Sequence, residues 1–231
     1  MSPAVSPAGS PAASARDDVL SRIRAANASG AAPPAEVPRD YAPAGDLAPG
    51  SAEAVDLLVD RLVDYKATVT RAGSDGVAAA VRAALDERLG GGGRVVVPPG
   101  LDSGWVADPA AGEDAGSDRQ AVVDEGMTAL ELDRVDGVVT AATVACAVTG
   151  TIVLDGSPDQ GRRAISLVPD LHVCVVRTDQ VVHSVPEMLA RVEPTRPLTL
   201  ISGPSATSDI ELDRVEGVHG PRTLVVVIVA T

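Results

Sequence analysis

The sequence has no phenylalanine, and one tryptophan and two tyrosines bring the aromatic residues to only 1% of its composition. Hydrophobic residues nevertheless account for 45% of the 231 residues. This composition predicts one domain of ordinary size whose core is aliphatic, built from Val, Leu, Ile and Ala. Such a core packs well but offers few flat surfaces for stacking.

Lysine is also scarce, since Lys66 is the only one, and Asp and Glu outnumber Lys and Arg by 32 to 19, which gives a formal net charge of −13. Nucleic acids and anionic membranes are bound through basic surfaces, so this charge argues against both as partners. No apolar run reaches the roughly 18 residues that span a bilayer. The first residues, MSPAVSPAGSPAASA, also lack the basic and apolar regions of a signal peptide. We therefore expect a cytoplasmic protein without a membrane span.

Cysteine is limited to Cys146 and Cys174. Two cysteines cannot build a disulfide framework, a four-cysteine zinc site or a four-cysteine iron–sulfur site. Both residues stand in apolar runs, which predicts buried, reduced thiols. We expect no metal site and no cofactor in this chain.

Proline, glycine and alanine dominate much of residues 1–50, which are predicted to form a flexible N-terminal arm. One helix, at about 14–28, interrupts the arm. Ser14 is suited to cap that helix, and Asp17 stands where a capping box needs its acid. The folded domain is predicted to cover residues 51–231.

Within this domain, helical and strand patterns alternate with short connections, which is typical of a parallel sheet covered by helices. Five apolar runs read as buried strands of such a sheet, because they are continuous rather than alternating. They are 94–98, 151–155, 172–176, 198–202 and 223–229. The predicted fold class is α/β, with a mostly parallel sheet flanked by helices.

Two segments offer a first set of candidate ligand-binding residues. Thr149, Gly150 and Thr151 precede a predicted strand, where backbone N–H groups could face a ligand; a simple tight turn is the alternative. Arg162 and Arg163 follow the same strand in DGSPDQGRR and could hold an anion with two hydrogen bonds each. A solvated loop would carry the same residues.

The segment SGPSATSDIE (202–211) follows another predicted strand. The backbone of Gly203 and the hydroxyls of three neighbours could cradle a phosphate or carboxylate. These neighbours are Ser205, Thr207 and Ser208. Asp209 and Glu211 are weak candidates for an acid, a base or a metal ligand. A capped structural turn explains the segment equally well.

Histidine occurs three times, and only His219 stands between glycines, in GVHGPR (217–222). It is a weak candidate for an acid or base, and Arg222 for an anion contact; a structural turn is the alternative. His172 and His183 are predicted to be structural.

Together, TGTIVLD, GRRAISLVPDLHVCVV, ISGPSATSDIE and GVHGPR resemble the LutC-type lactate-utilization proteins, the LUD domain family. The resemblance covers residues 51–231 and is dense over 137–230. It implies a fold like that of the NagB/RpiA/CoA-transferase superfamily and a role in oxidising L-lactate to pyruvate. It also implies LutA-like and LutB-like partner subunits that carry the iron–sulfur clusters.

Two positions depart from this family pattern. Val148 stands where members often have glutamate, and Ala206 where many have arginine, which lowers the expectation of a catalytic pocket. One hypothesis is an auxiliary subunit without its own redox cofactor. The alternative is an enzyme of the isomerase or transferase type that binds a small carboxylate or phosphate. Catalysis, ligand identity and oligomeric state, a homo-oligomer included, stay open.

Overall fold

The computed structural model describes residues 14–30, 36–40, 44–106, 118–207, 215–216 and 219–231. At residues 118, 206–207 and 215–216 it describes the backbone alone. The chain divides into two units, Met1–Tyr41 and Ala42–Thr231.

In the first unit, helix α1 runs from Ala15 to Ala28. Its N-cap is Ser14, whose Oγ accepts the backbone N–H of Asp17 at 3.2 Å and donates to the Asp17 carboxylate at 2.6 Å. This cap satisfies one of the unpaired N–H groups of the first turn. No residue of α1 is buried, and Val19 and Ile23 are about half exposed.

The second unit contains four helices among its described residues: α2 (Ala52–Asp64), α3 (Val77–Leu89), α4 (Ala129–Leu132) and α5 (Val185–Ala190). The first six strands are β1 (Thr68–Ala72), β2 (Gly92–Val97), β3 (Asp118–Val123), β4 (Gly137–Thr140), β5 (Val144–Cys146) and β6 (Thr151–Leu154). The others are β7 (Leu171–Arg177), β8 (Val181–Val182), β9 (Thr199–Ile201), β10 (Ala206–Thr207), β11 (Val215–Glu216) and β12 (Thr223–Val229).

The central sheet has six strands in the order β1-β12-β7-β4-β2-β3, and every neighbouring pair is parallel. Strands β12 and β7 form its middle, with Val225 paired to Val173. This arrangement confirms the predicted α/β class with a mostly parallel sheet. It also confirms the strands expected at 94–98, 172–176 and 223–229.

Both faces of the central sheet are covered around β7, which explains why the two middle strands, β12 and β7, are largely apolar. Along β7, Val173 and Val175 pack in a cluster with helix α3. Cys174 and Val176, which point to the opposite face, pack in a cluster with helix α2.

A second sheet, with the order β8-β5-β6-β9, shares the α2 side of the central sheet. β6 pairs antiparallel with both β5 and β9, whereas β5 and β8 run parallel. The prediction that residues 151–155 and 198–202 supply central parallel strands was therefore wrong. Strand β6 is buried on both faces, by the α2 cluster and by a cluster around Met188, so its apolar pattern matches that of a parallel strand.

Two backbone contacts tie the segment before α2 to the second sheet. The Asp46 N–H donates to Nδ1 of His183 at 2.8 Å, and the Gly50 N–H donates to the Val181 carbonyl at 2.9 Å. These contacts hold the chain before α2 against β8 and its following turn. In the described parts of the chain, no helix combines the length and apolar character needed to cross a membrane.

Candidate functional site

Two neighbouring cavities contain most of the described candidate residues. The first, called here the histidine cavity, has a volume of about 250 Å³ and includes His172 and His219 in its lining. The second, called here the arginine cavity, has a volume of about 460 Å³ and includes Arg162, Arg163 and Arg196. Ser166 and Thr199 line both cavities, so the two spaces adjoin.

The histidine cavity brings two of the predicted segments together. Gly203, Ser205 and His219 all line it. Oγ of Ser205 accepts the backbone N–H of His219 at 3.1 Å, and the Ser205 N–H donates to the Pro221 carbonyl at 2.8 Å. These bonds hold the segments 202–205 and 219–221 side by side, with the His219 residue exposed.

His172 forms a buried part of the same cavity and is only 1% exposed. Its Nε2 lies 2.8 Å from Oγ1 of Thr140 on the neighbouring strand. Burial lowers the pKa of His172 from 6.5 to about 4, because a charged ring would lose its hydration. The imidazole is therefore neutral at neutral pH. His172 was predicted to be structural, and the structure also places it in the lining of the histidine cavity.

Arg162, a predicted anion ligand, is already paired inside the protein. Its Nε and terminal nitrogen donate to the two Asp124 oxygens at 2.6 and 2.9 Å, and the terminal nitrogen also donates to the Met127 carbonyl. The hydrogen bond from Arg162 holds the pKa of Asp124 below its usual value, against the effect of burial. The planar fork of Arg162 is thus occupied by a carboxylate of the same chain.

Arg196 reaches the arginine cavity from the loop before β9. It donates to Oδ2 of Asp155 at 3.0 Å and to Oγ of Ser157 at 3.3 Å. Burial raises the pKa of Asp155, but hydrogen bonds led by that from Ser157, together with the charge of Arg196, outweigh it and leave the pKa lowered. Asp155 is therefore ionised and anchors Arg196 at the cavity wall.

Arg163 differs from these two arginines. It is exposed and lines the arginine cavity, yet it makes no hydrogen bond or ion pair through its side chain with any described residue. Its backbone carbonyl accepts a hydrogen bond from Oγ of Ser166 at 3.1 Å, which ties it to the boundary between the cavities. Of the three cavity arginines, Arg163 has the guanidinium group most available to an external anion.

The predicted ligand residues Thr149, Gly150 and Thr151 form the turn between β5 and β6, and the described lining of the two cavities does not include them. Their hydroxyls form a chain: Oγ1 of Thr149 lies 2.8 Å from Oγ1 of Thr151, which lies 2.8 Å from Oγ of Ser202. This chain links the turn to the end of β9.

Gly150 and Gly203 are required by the close approach of α2. Gly150 has φ +60°, and an added Cβ would lie 2.8 Å from Cβ of Arg61. Gly203 has φ +98°, and its added Cβ would lie 2.7 Å from Cβ of Tyr65 and 2.9 Å from its carbonyl oxygen. The two glycines therefore have a packing role, whichever ligand the cavity takes.

The remaining candidates lie apart from the cavities or outside the described residues. Nε of Arg222 donates to Asp170 at 2.7 Å, and Arg222 is not among the described lining residues of either cavity. The Thr207 side chain, Ser208, Asp209 and Glu211 lie outside the described residues. Whether they share a cavity with His219 stays a prediction.

Sequence reasoning missed Ser166 and Arg196 as cavity residues. Ser166 follows Arg163 within a short turn, and Arg196 lies in a proline-rich loop, so neither belongs to a recognisable motif. Pairing of β6 with β9, which the sequence did not predict, brings the loop that holds Arg196 to Asp155. Among the described residues, no three His, Cys, Asp or Glu side chains are grouped as a metal site would require.

Comparison with known proteins gives a consistent family. The LUD domain family model matches residues 102–229. A protein named Lactate utilization protein C from Deinococcus radiodurans is 47% identical over 182 residues, covering 77% of this chain and 80% of that protein. Its namesake from Bacillus licheniformis is 31% identical, covering 57% and 60%. A crystal structure of a DUF162 family protein from Deinococcus radiodurans, 39% identical, covers 77% of this chain and 97% of that one, with a TM-score of 0.60.

Proposed function

Since the chain belongs to the LUD domain family, we propose that it works in lactate utilization, as a subunit of a system that oxidises L-lactate to pyruvate. The observation that carries this proposal is the 47% identity to a Lactate utilization protein C over 77% of the chain. A second relative of the same name supports it at 31% identity.

We further propose that the subunit is auxiliary and has no redox cofactor of its own. Iron–sulfur clusters are typically held by four cysteines, and this chain has two. Cys146 and Cys174 are both buried free thiols, as predicted. The cysteine content supports the absence of a four-cysteine cluster from this chain, and we propose that LutA-like and LutB-like partner subunits carry the iron–sulfur clusters.

Deletion of the gene in its own organism tests the role in lactate utilization. Growth on L-lactate should be lost, growth on glucose should continue, and a plasmid copy should restore the phenotype. Unchanged growth on lactate, with no paralogue present, would refute the role.

Affinity purification of the full chain should recover cysteine-rich partners, whose iron and flavin are then measured. Iron bound by this chain in isolation would contradict the auxiliary assignment.

The second candidate is a small-anion-binding enzyme, as in the isomerases and transferases of the NagB/RpiA/CoA-transferase superfamily. The arginine cavity favours it: exposed Arg163 lines a concave space without a described side-chain partner, in a chain of net charge −13. Turnover of a phosphorylated sugar or a CoA ester by the isolated chain would favour this candidate over the auxiliary role.

A further inference from the structure

His183 lies in the turn between β8 and α5, where it accepts backbone hydrogen bonds from a segment distant in sequence. Its Nδ1 accepts the N–H of Asp46 at 2.8 Å and that of Leu47 at 3.4 Å. Gly45 lies against the ring, since a Cβ added to it would be 2.6 Å from Cγ of His183. Residues 45–47, called here the strap, are thus bonded to the protein through one ring nitrogen.

Two other contacts hold the chain at and after the strap. The Leu47 side chain packs against the cluster around α2, and the Gly50 N–H donates to the Val181 carbonyl at 2.9 Å. An apolar contact and a backbone carbonyl keep their character at every moderate pH. Histidine, in contrast, ordinarily changes its charge between pH 5 and 8. His183 is therefore the contact of the strap that responds to pH.

The bonds to Asp46 and Leu47 require a neutral imidazole. A ring nitrogen accepts a hydrogen bond only while it carries no proton, and both nitrogens of the protonated ring are donors. A proton on Nδ1 would therefore face the two N–H groups of the strap, which cannot accept it. Protonation of His183 removes both hydrogen bonds at once.

The charged group that α5 brings to His183 is Glu187. Its carboxylate accepts the N–H and the hydroxyl of Ser184 at 2.8 Å each. Burial raises the pKa of Glu187, but hydrogen bonds led by those from Ser184 outweigh it and leave the pKa lowered. The Gly45 N–H and the charge of His183 lower this pKa further. Glu187 is therefore ionised over the pH range in which histidine titrates.

The other elements around His183 bring one more carboxylate and one thiol. Asp46 on the strap is exposed, and Cys146 on β5 donates its thiol to the His183 carbonyl at 3.5 Å. A protonated ring would be attracted to Glu187, whose carboxylate also accepts the Gly45 N–H. The lost acceptor and this new attraction therefore both weaken the hold on the strap.

We propose that His183 is a pH-sensitive latch: its neutral ring holds the strap near pH 7.5, and its protonated ring releases the strap near pH 5.5. The bond from Gly50 to a backbone carbonyl does not titrate, so the change is confined to the chain before it. The sequence predicted only a structural role for His183. The latch is independent of the proposed role in lactate utilization.

A spin label on Ala44→Cys of the full chain tests the latch, because Ala44 is exposed and directly precedes the strap. Both native cysteines are buried, which confines the label to the added thiol. The ratio of mobile to immobile label should rise about fivefold or more from pH 7.5 to pH 5.5, as expected for the loss of two hydrogen bonds. An unchanged ratio would overturn the proposal.

The matched control carries the same label on Ala52→Cys, at an exposed residue of α2. Its mobility should be the same at both pH values, because α2 lies beyond the fixed contact of Gly50. An equal increase at both labelled positions would indicate general loosening of the protein and would contradict a latch.

Substitutions of His183, each combined with the label at Ala44→Cys, assign the effect to the ring. His183→Asn can offer an oxygen near the position of Nδ1 but does not titrate, so the label should stay immobile at both pH values. His183→Ala removes the acceptor, so the label should be mobile at both. His219→Gln, at another exposed histidine, should keep the wild-type response.

A pH response that persists in His183→Asn, or an immobile label in His183→Ala, would refute the role of the ring. Circular dichroism must first show that His183→Ala folds. If it does not, the comparison of His183→Asn with the wild-type histidine decides the question.

Discussion

Nε2 of His172 on β7 lies 2.8 Å from Oγ1 of Thr140 on the neighbouring strand β4. His172 is 1% exposed and Thr140 is fully buried. The hydroxyl satisfies one ring nitrogen, but no described carboxylate is paired with the ring to stabilise its protonated form. The sheet thus holds this histidine in its neutral form.

The free energy of unfolding should fall when the solution is acidified from about pH 7.5 to about pH 5.5. The unfolded chain takes up a proton on His172 below its pKa of 6.5, whereas the folded chain takes it up only near 4. The unfolded state therefore binds more protons in this window, so stability decreases as the pH falls. We expect a loss of roughly 1–2 kcal/mol, measured by urea unfolding at both pH values.

A matched variant separates His172 from the other histidines in this experiment. His172→Gln should flatten the pH dependence, whereas His219→Gln, at an exposed residue, should retain it. Asp124 and Asp155, whose pKa values are lowered, change the stability only at more acidic pH, where carboxylates take up protons. They therefore do not contribute to the change between pH 7.5 and pH 5.5. An unchanged slope in a folded His172→Gln variant would show that the ring does not cause it.

Gly203→Ala should destabilise the second unit by roughly 2–4 kcal/mol. The substitution adds backbone strain at φ +98° and places Cβ 2.7 Å from Cβ of Tyr65. Gly126→Ala is a close control, because Gly126 has φ +100° and no atom within 4 Å of an added Cβ. Gly126→Ala should therefore be destabilised by the backbone strain alone, roughly 1–2 kcal/mol. Thermal unfolding measures both variants, and equal losses would argue against the packing role.

Asp124→Asn should lower stability by about 1–3 kcal/mol. The Asp124 side chain is 4% exposed and accepts two hydrogen bonds from Arg162, but the Arg162 side chain is 41% exposed, so solvent screens part of the effect. Asp56→Asn breaks an exposed pair with Arg71 and should cost less than about 1 kcal/mol. Urea unfolding near pH 7 compares the two, and similar losses would contradict the difference in burial.

Both thiols should be unreactive in the folded protein. Cys146 and Cys174 are fully buried, and burial raises the pKa of Cys174 to about 12. Thiolate is the reactive form, so a colorimetric thiol reagent at about pH 8 should modify neither residue within minutes. In denaturant it should modify both of the chain's cysteines. Rapid labelling of the folded chain would show that one of them becomes accessible.

The central sheet was predictable because patterns within short windows define its strands. Residues 223–229 are apolar throughout, and the structure places β12 over the same residues. The same apolar pattern led to a wrong prediction at β6, which is antiparallel to both of its neighbours. An apolar run indicates that both faces of a strand are buried, but it does not indicate the direction of the neighbouring strands. Strand direction depends on contacts between distant segments, which a single sequence does not display.

The sequence identified several residues of the candidate site but only part of their spatial arrangement. Gly203, Ser205 and His219 were named from sequence, and the structure brings them to one cavity. The pairing of Arg162 with Asp124 was not foreseeable, since they lie 38 positions apart and no local pattern links them. It is this pairing that leaves Arg163, its neighbour in sequence, as the arginine open to solvent.

The position of β12 between β1 and β7 has a consequence for biosynthesis. β1 is translated early, yet its neighbour in the sheet is residues 223–229. Until those residues leave the ribosome, β1 and β7 each present an edge of unpaired backbone N–H and C=O groups, which is a template for aggregation. A nascent chain interrupted before β12 would therefore depend on chaperones, however complete its other strands are.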